Sequence, residues 1–133
     1  MEIYTIGYHG FTLNGLIRKL DSNDIKLLVD IRTKPYSHYS AHFNRENLQR
    51  VLGSRYVWKG NCLGGMTGKR QPGYDACLNW IVRVSRVQNV CVMCMEADPH
   101  KCHRSIWIGN DLYDRFKIDV IHIVKSTFKT GKL

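Results

Sequence analysis

Residues Ile25 to Ile31, I-K-L-L-V-D-I, form a near-continuous apolar run of strand length. A strand with one face in water alternates apolar and polar side chains, whereas an unbroken run is what burial on both faces of a parallel sheet requires. Upstream, Met1 to Ile6 reads as another strand, and Leu13, Leu16, Ile17 and Leu20 recur at helical spacing between the two. Thr12 stands at the N-cap of that helix, with Phe11 and Leu16 at the two positions of a hydrophobic staple. The chain therefore opens with a β-α-β unit.

Residues 32–43 contain a proline and no sustained period, so a loop is expected there, followed by a short helix that Asn44 caps and that ends near Leu52. Arg55 to Trp58 reads as a short strand. Residues 59–73 carry five glycines and a proline in one stretch, longer than the connections usual in a compact domain and suited to a lid or a substrate-ordered loop. A helix is expected from Tyr74 to about Arg86, with Cys77, Ile81 and Val84 on one stripe, and a strand from Asn89 to Met95. Asp98-Pro99 then reads as an N-cap and first helical position, starting a helix that runs to about Phe116 and holds Cys102, His103, Arg104 and Ser105 in its first two turns. Ile118 to Val124 supplies a last strand. The alternation implies one α/β domain over residues 1–124, an open, mainly parallel sheet of about five strands flanked by helices, a flavodoxin-like or Rossmann-like sandwich. Residues 125–133 form a basic tail.

The 133 residues have the charged and apolar fractions of an ordinary globular domain. No apolar run approaches the length of a membrane span, and the N-terminus lacks the features of a signal peptide, so a soluble, cytoplasmic protein with no membrane association is expected. Five cysteines, an odd count without framework spacing, point to unpaired thiols. Twenty Lys and Arg against eleven Asp and Glu give a formal charge of +9, which favours a nucleic acid or nucleotide partner.

In an open α/β sheet, ligands bind beyond the carboxyl ends of the strands. That rule gathers Gly7, Tyr8 and His9, then Asp30 and Arg32, then Glu96 and Asp98. Asp30 and Arg32, two apart, point to one side. Glu96 directly follows a buried strand, where a partly desolvated carboxylate suits acid/base or nucleophilic work; the plainer alternative is an ion pair with Arg32 or Arg104, just as Asp30 has the alternative of pairing with Arg104. Asp98 needs no role beyond capping. Cys102, beside His103 and Arg104 near a helix N-terminus, has the setting of an activated thiol, with a packed, inert cysteine as the alternative. Cys91 and Cys94 are i and i+3 on a strand and face opposite sides, so neither a shared metal ion nor a redox pair fits them. A metal held by Cys94, Cys102 and His100 or His103 is the remaining option, and no metal or cofactor is expected. Cys77 to Arg83 has Cys-x5-Arg spacing but lies in a helical pattern, which cannot wrap an anion.

The motifs T-I-G-Y (5–8), L-V-D-I-R-T-K-P (28–35), H-F-N (42–44), L-G-G (63–65), C-M-E-A-D-P-H-K-C-H-R-S (94–105) and V-I-H-I (120–123), in this order along nearly the whole chain, resemble the domain-of-unknown-function family numbered 488. The resemblance implies a small α/β fold with a site around Gly7, Asp30, Arg32, Pro35, Phe43, Asn44, Gly64, Gly65, Cys94, Glu96, Asp98, Cys102, His103 and Arg104. It implies no activity.

These residues lead first to an enzyme acting on a nucleotide or nucleic acid, with cleavage or transfer of an N-glycosidic bond as the expected reaction. Glu96 would be nucleophile or general base, Asp30 and Tyr8 would position sugar or base, and Arg32 and Arg104 would hold phosphate, with His9, His103 and Ser105 in contact range. The alternatives are a cysteine-based thiol, sulfur-transfer or redox protein acting through Cys102, and a non-catalytic nucleic-acid-binding module.

Overall fold

The computed structural model describes residues 2–125, with the side chains of residues 103–105 outside the description. The strands are β1 (Glu2–Gly7), β2 (Leu27–Asp30), β3 (Tyr56–Trp58), β4 (Val90–Cys94) and β5 (Asp119–Ile123). The helices are α1 (Leu13–Ser22), α2 (Arg45–Leu52), α3 (Gly60–Leu63), α4 (Tyr74–Ser85) and α5 (His103–Phe116). One sheet holds the five strands in the order β3-β2-β4-β1-β5, and every pairing is parallel. This is the expected open α/β sandwich of the flavodoxin-like or Rossmann-like kind. No described helix is long and apolar enough to cross a membrane.

Each strand sends alternate side chains to two cores. Ile3, Val29, Val90, Val92 and Cys94 pack with Leu78, Ile81, Ile108 and Leu112 of α4 and α5. Ile6, Leu28, Cys91 and Met93 pack with Leu16, Leu20, Leu48 and Leu52 of α1 and α2. Cys91 and Cys94 thus fall on opposite faces, as the strand period requires. All four residues of β2 are buried, which accounts for the unbroken apolar run around it.

Chain direction sets which face each crossover covers. The connections that leave β1 and β2 run toward the β3 edge, while those that leave β3 and β4 run the other way. Right-handed crossovers of opposite sense must lie on opposite faces, so α1 and α2 cover one side and α4 and α5 the other. The loops leaving β2 and β4, which are neighbours in the sheet, therefore part company at their carboxyl ends and open a crevice there.

Three local expectations are corrected. α5 begins at His103 and not at Asp98: Asp98 Oδ1 accepts the His100 N–H at 2.9 Å and its carbonyl accepts from Lys101, so Asp98 and Pro99 build a turn. Cys102 takes the capping position, its carbonyl accepting the Ile106 N–H at 2.9 Å. Asn44 stands before α2 without capping it through its side chain; its Oδ1 accepts from Ser37 N–H at 2.8 Å and pins the preceding loop. The five cysteines are not all thiols, since Cys62 and Cys77 form a disulfide across 15 positions. The glycine-rich stretch is accordingly tethered: its first part folds as α3, and Cys62 is bonded to α4. Thr12 does cap α1, accepting the Gly15 N–H at 3.0 Å. The basic tail beyond Lys125 lies outside the described residues.

Candidate functional site

The crevice between the departing loops is a pocket of about 310 Å³ lined by Tyr8 after β1, Arg32, Thr33, Lys34, Tyr36 and Ser37 after β2, Met95 after β4, and Met66 from the stretch following α3. The ends of three neighbouring strands supply its walls, as a doubly wound sheet dictates. Lys34 and Tyr36 are exposed, and Tyr36 keeps 60 % of its surface.

The floor is a buried polar cluster. Asp30 is fully buried and Arg32 is 5 % exposed. Arg32 Nε donates to Asp30 Oδ1 at 2.9 Å and Nη2 to Oδ2 at 2.8 Å, a bidentate pair, while the Arg32 backbone N–H adds a third bond to Oδ1. The Tyr56 hydroxyl donates to Asp30 Oδ2 at 2.6 Å. Arg32 Nη2 also donates to the Phe43 carbonyl at 2.7 Å, which ties the long loop before α2 to the sheet. Burial alone would lower the Arg32 pKa, but the hydrogen bonds and charge of Asp30 outweigh it, so the guanidinium is held above its ordinary value. Burial first, and then the bond to Asp30, hold the Tyr56 phenol well above the usual tyrosine range.

Both Asp30 oxygens are engaged and water does not reach them, so Asp30 orients Arg32. Tyr8 is 3 % exposed, with Phe43 stacked on it at 4.6 Å between centroids and the Arg32 guanidinium 5.1 Å from its own. That ring is buried in the pocket wall, and Tyr36 is the exposed aromatic of the pocket. Arg32 pairs with Asp30 and not, as in the plainer alternative, with Glu96.

The pocket walls are held by close backbone approaches. A Cβ on Gly60 would lie 1.8 Å from the Arg32 carbonyl oxygen, and one on Gly64 would lie 2.2 Å from Thr33 Oγ1. Trp58 Nε1 donates to the same Arg32 carbonyl at 2.7 Å, and Met66 N–H donates to Thr33 Oγ1. A Cβ on Gly7 would lie 1.8 Å from the Glu96 carbonyl oxygen, so β1 and the segment leaving β4 are in direct backbone contact.

Glu96 is half-buried and lines a separate, smaller crevice of about 10 Å³ with Gly7, Cys94 and His122. Its Oε1 accepts the Asp98 N–H at 3.1 Å. Behind that crevice Cys102, 3 % exposed, places its Sγ 3.1 Å from Sγ of Cys94, itself 4 % exposed. The expected activated thiol near a helix start is therefore a buried one beside a second thiol. Burial pushes the Cys91 thiol well up. Partial burial, then repulsion from His100, lowers the His122 pKa against an opposing contribution from Cys102; His122 Nδ1 is hydrogen-bonded to Thr5 Oγ1. Among the described residues no three His, Cys, Asp or Glu side chains are arranged to hold a metal ion.

The fold thus brings Tyr8 and Arg32 to one pocket with Asp30 beneath them, and sets Glu96 in a separate crevice. His9 is exposed and lines none of these cavities. The side chains of His103, Arg104 and Ser105 lie outside the described residues. Sequence reasoning passed over Lys34, Tyr36, Met66 and Met95 as pocket residues and Tyr56 as a partner of Asp30. The first two sit directly after a strand already chosen as site-forming, which was signal enough. Met66 and Tyr56 reach the site only through strand order.

The family model described as "Domain of unknown function DUF488" matches residues 12–80. No curated protein and no solved structure matches the chain.

Proposed function

Because the chain belongs to the DUF488 family, whose description names no activity, we propose from the site itself that the protein is an enzyme acting on a nucleotide or nucleic acid. The observation that carries this reading is the pocket at the ends of β1, β2 and β4, with Lys34 for a phosphate, the buried Arg32 cation on its floor and Tyr36 for a base. Its volume of about 310 Å³ is at the small end of ligand sites, a size suited to one nucleotide unit. The formal charge of +9 supports an anionic substrate.

The proposed reaction is cleavage or transfer of an N-glycosidic bond, with the Glu96 carboxylate as nucleophile or general base toward the sugar. Glu96 follows Met95 of the pocket lining, and its one described hydrogen bond, from the Asp98 N–H, engages Oε1. The test is binding and turnover of nucleosides, nucleoside monophosphates and short oligonucleotides by wild type and Glu96→Gln. Glu96→Gln is expected to retain binding and lose turnover by 100-fold or more, on the order of a general acid/base contribution. Retained turnover overturns the glycosidic step. Binding without turnover in the wild type makes the chain a non-catalytic binding module, and no binding of any nucleotide overturns the reading.

A second reading, thiol redox chemistry, has one observation in its favour, the 3.1 Å approach of Cys94 and Cys102. Its test is thiol counting on native protein before and after treatment with a diazene oxidant: loss of two thiols with Cys91 retained supports it, and three thiols after treatment overturn it. A cytoplasmic location belongs to the proposal too. Disulfides persist mainly in oxidising compartments, so finding Cys62 and Cys77 oxidised in acid-trapped cells only outside the cytosolic fraction would overturn that location.

A further inference from the structure

We infer that the ligand is an extended single strand of nucleic acid, which enters the pocket with one nucleotide and continues over the carboxyl end of β3 along a track of cation–aromatic pairs. The inference rests on the reading of the pocket as a nucleotide site. The Arg45 guanidinium lies 4.6 Å from the Trp58 ring centroid, and the Lys59 ammonium lies 4.6 Å from that of Trp80. Both pairs are joined to the pocket through backbone. Arg45 N–H donates to the Pro35 carbonyl, between Lys34 and Tyr36, and Trp58 donates to the Arg32 carbonyl. Lys59, the next residue, donates its N–H to the Asp30 carbonyl at 2.8 Å. Lys34 and Tyr36 in the pocket, Arg45 on Trp58 and Lys59 on Trp80 thus share the carboxyl ends of β2 and β3, where Trp58 packs on the α1–α2 side and Trp80 on the α4 side.

Among the described residues Lys34, Arg45 and Lys59 are in no ion pair, so their charges are open to an anion. The Arg45–Trp58 and Lys59–Trp80 pairs are two of the six cation–π pairs among the described residues, and both stand at the carboxyl end of β3. Indoles under cations suit a flexible strand: the outer face of the Arg45 guanidinium can stack a base, and Lys59 supplies a point charge for phosphate. A duplex keeps its bases stacked inside and could not fill the pocket without flipping one out, which is why the track favours single strands.

The experiment is fluorescence anisotropy with labelled oligothymidylates of two, six and twelve nucleotides and a twelve-pair duplex, alongside competition by thymidine monophosphate. Wild type, Lys34→Ala and the double variant Arg45→Ala/Lys59→Ala are compared, with circular dichroism to check that each is folded. The expected result is affinity that rises at least tenfold from two to six nucleotides and a weaker duplex complex. The double variant should lose about that tenfold gain, flatten the slope of log K against log salt by about 0.7 for the one phosphate contact of Lys59, and keep the monophosphate affinity. Lys34→Ala should weaken every ligand. Equal affinity for two and six nucleotides, tighter duplex binding, or a double variant indistinguishable from wild type overturns the track while leaving the pocket reading intact. Loss of monophosphate binding altogether would instead count against the pocket. Should Arg45→Ala/Lys59→Ala unfold, Arg45→Lys/Lys59→Gln carries the same comparison.

Discussion

At Asp30 the chain places a carboxylate where water does not reach it, and a bidentate guanidinium, a backbone N–H and a phenol make that tolerable. A buried pair of this kind gives little net stability relative to apolar residues of similar shape, because desolvation offsets the attraction, yet breaking it from one side is costly. Asp30→Asn leaves the Arg32 cation, whose pKa is held above its ordinary value, without its counter-charge. We expect it to destabilise the fold by about 3–5 kcal/mol. Tyr56→Phe, which removes a single hydrogen bond to a charged acceptor, should cost about 1.5–3 kcal/mol. Urea denaturation followed by circular dichroism ranks the two, and the reverse order would mean that the phenol, not the ion pair, holds the cluster. That Asp30 and Arg32 share a side was legible from their spacing. That they would bind each other was not, since a partner two residues away competes with every partner the tertiary fold supplies, and Tyr56 and the Phe43 carbonyl arrive only with the fold.

Elements meet at this site through backbone, and the glycines show where. β1 and the segment after β4 are joined by Tyr8 N–H to Cys94 and His9 N–H to Met95, and Gly7 lies so close that a Cβ would be 1.8 Å from the Glu96 carbonyl oxygen and 2.8 Å from the Ala97 Cα. Neither neighbour is a flexible side-chain end, so Gly7→Ala must displace the segment that carries Glu96. Gly10, with φ of +88° and no atom within 4 Å of a built Cβ, is the control, where alanine meets only the left-handed backbone penalty of about 1–2 kcal/mol. Gly7→Ala should cost more than Gly10→Ala in urea unfolding and should also weaken nucleotide binding, which Gly10→Ala should leave unchanged. Equal effects would mean that the segment yields freely. The helix starts teach a related lesson. Asp98 does accept a backbone N–H two residues on, the same bond that an N-cap makes, so local chemistry cannot separate a turn from a helix start. Burial of Cys102 against Cys94 goes with the later start at His103.

Across the whole molecule, the strand count and buried strands could be read from periodicity because buried parallel strands have to be apolar on both faces. Strand order could not, and it is order that brings β3 beside β2 and carries the stretch after α3, with Met66, to the pocket mouth. The disulfide was invisible for the same reason. Cys62 and Cys77 lie 15 positions apart with glycines between them, and they meet because α3 and α4 pack into one core. Closing a loop of that length removes unfolded-state entropy equivalent to about 3 kcal/mol, which for a domain of this size corresponds to roughly 10 °C in Tm. Calorimetry of the protein with and without a phosphine reductant, and of Cys62→Ser/Cys77→Ser, should show that loss in both cases. Cys62 lies three residues before Gly65 in the wall-forming stretch, so the reduced protein should also bind the pocket ligand more weakly while its sheet is still folded. If Tm drops and affinity holds, the bond serves the fold alone and the contacts of Gly60, Gly64 and Met66 with Arg32 and Thr33 are enough to keep the wall in place; if both drop together, the bond extends the rigidity of α4 to the pocket mouth.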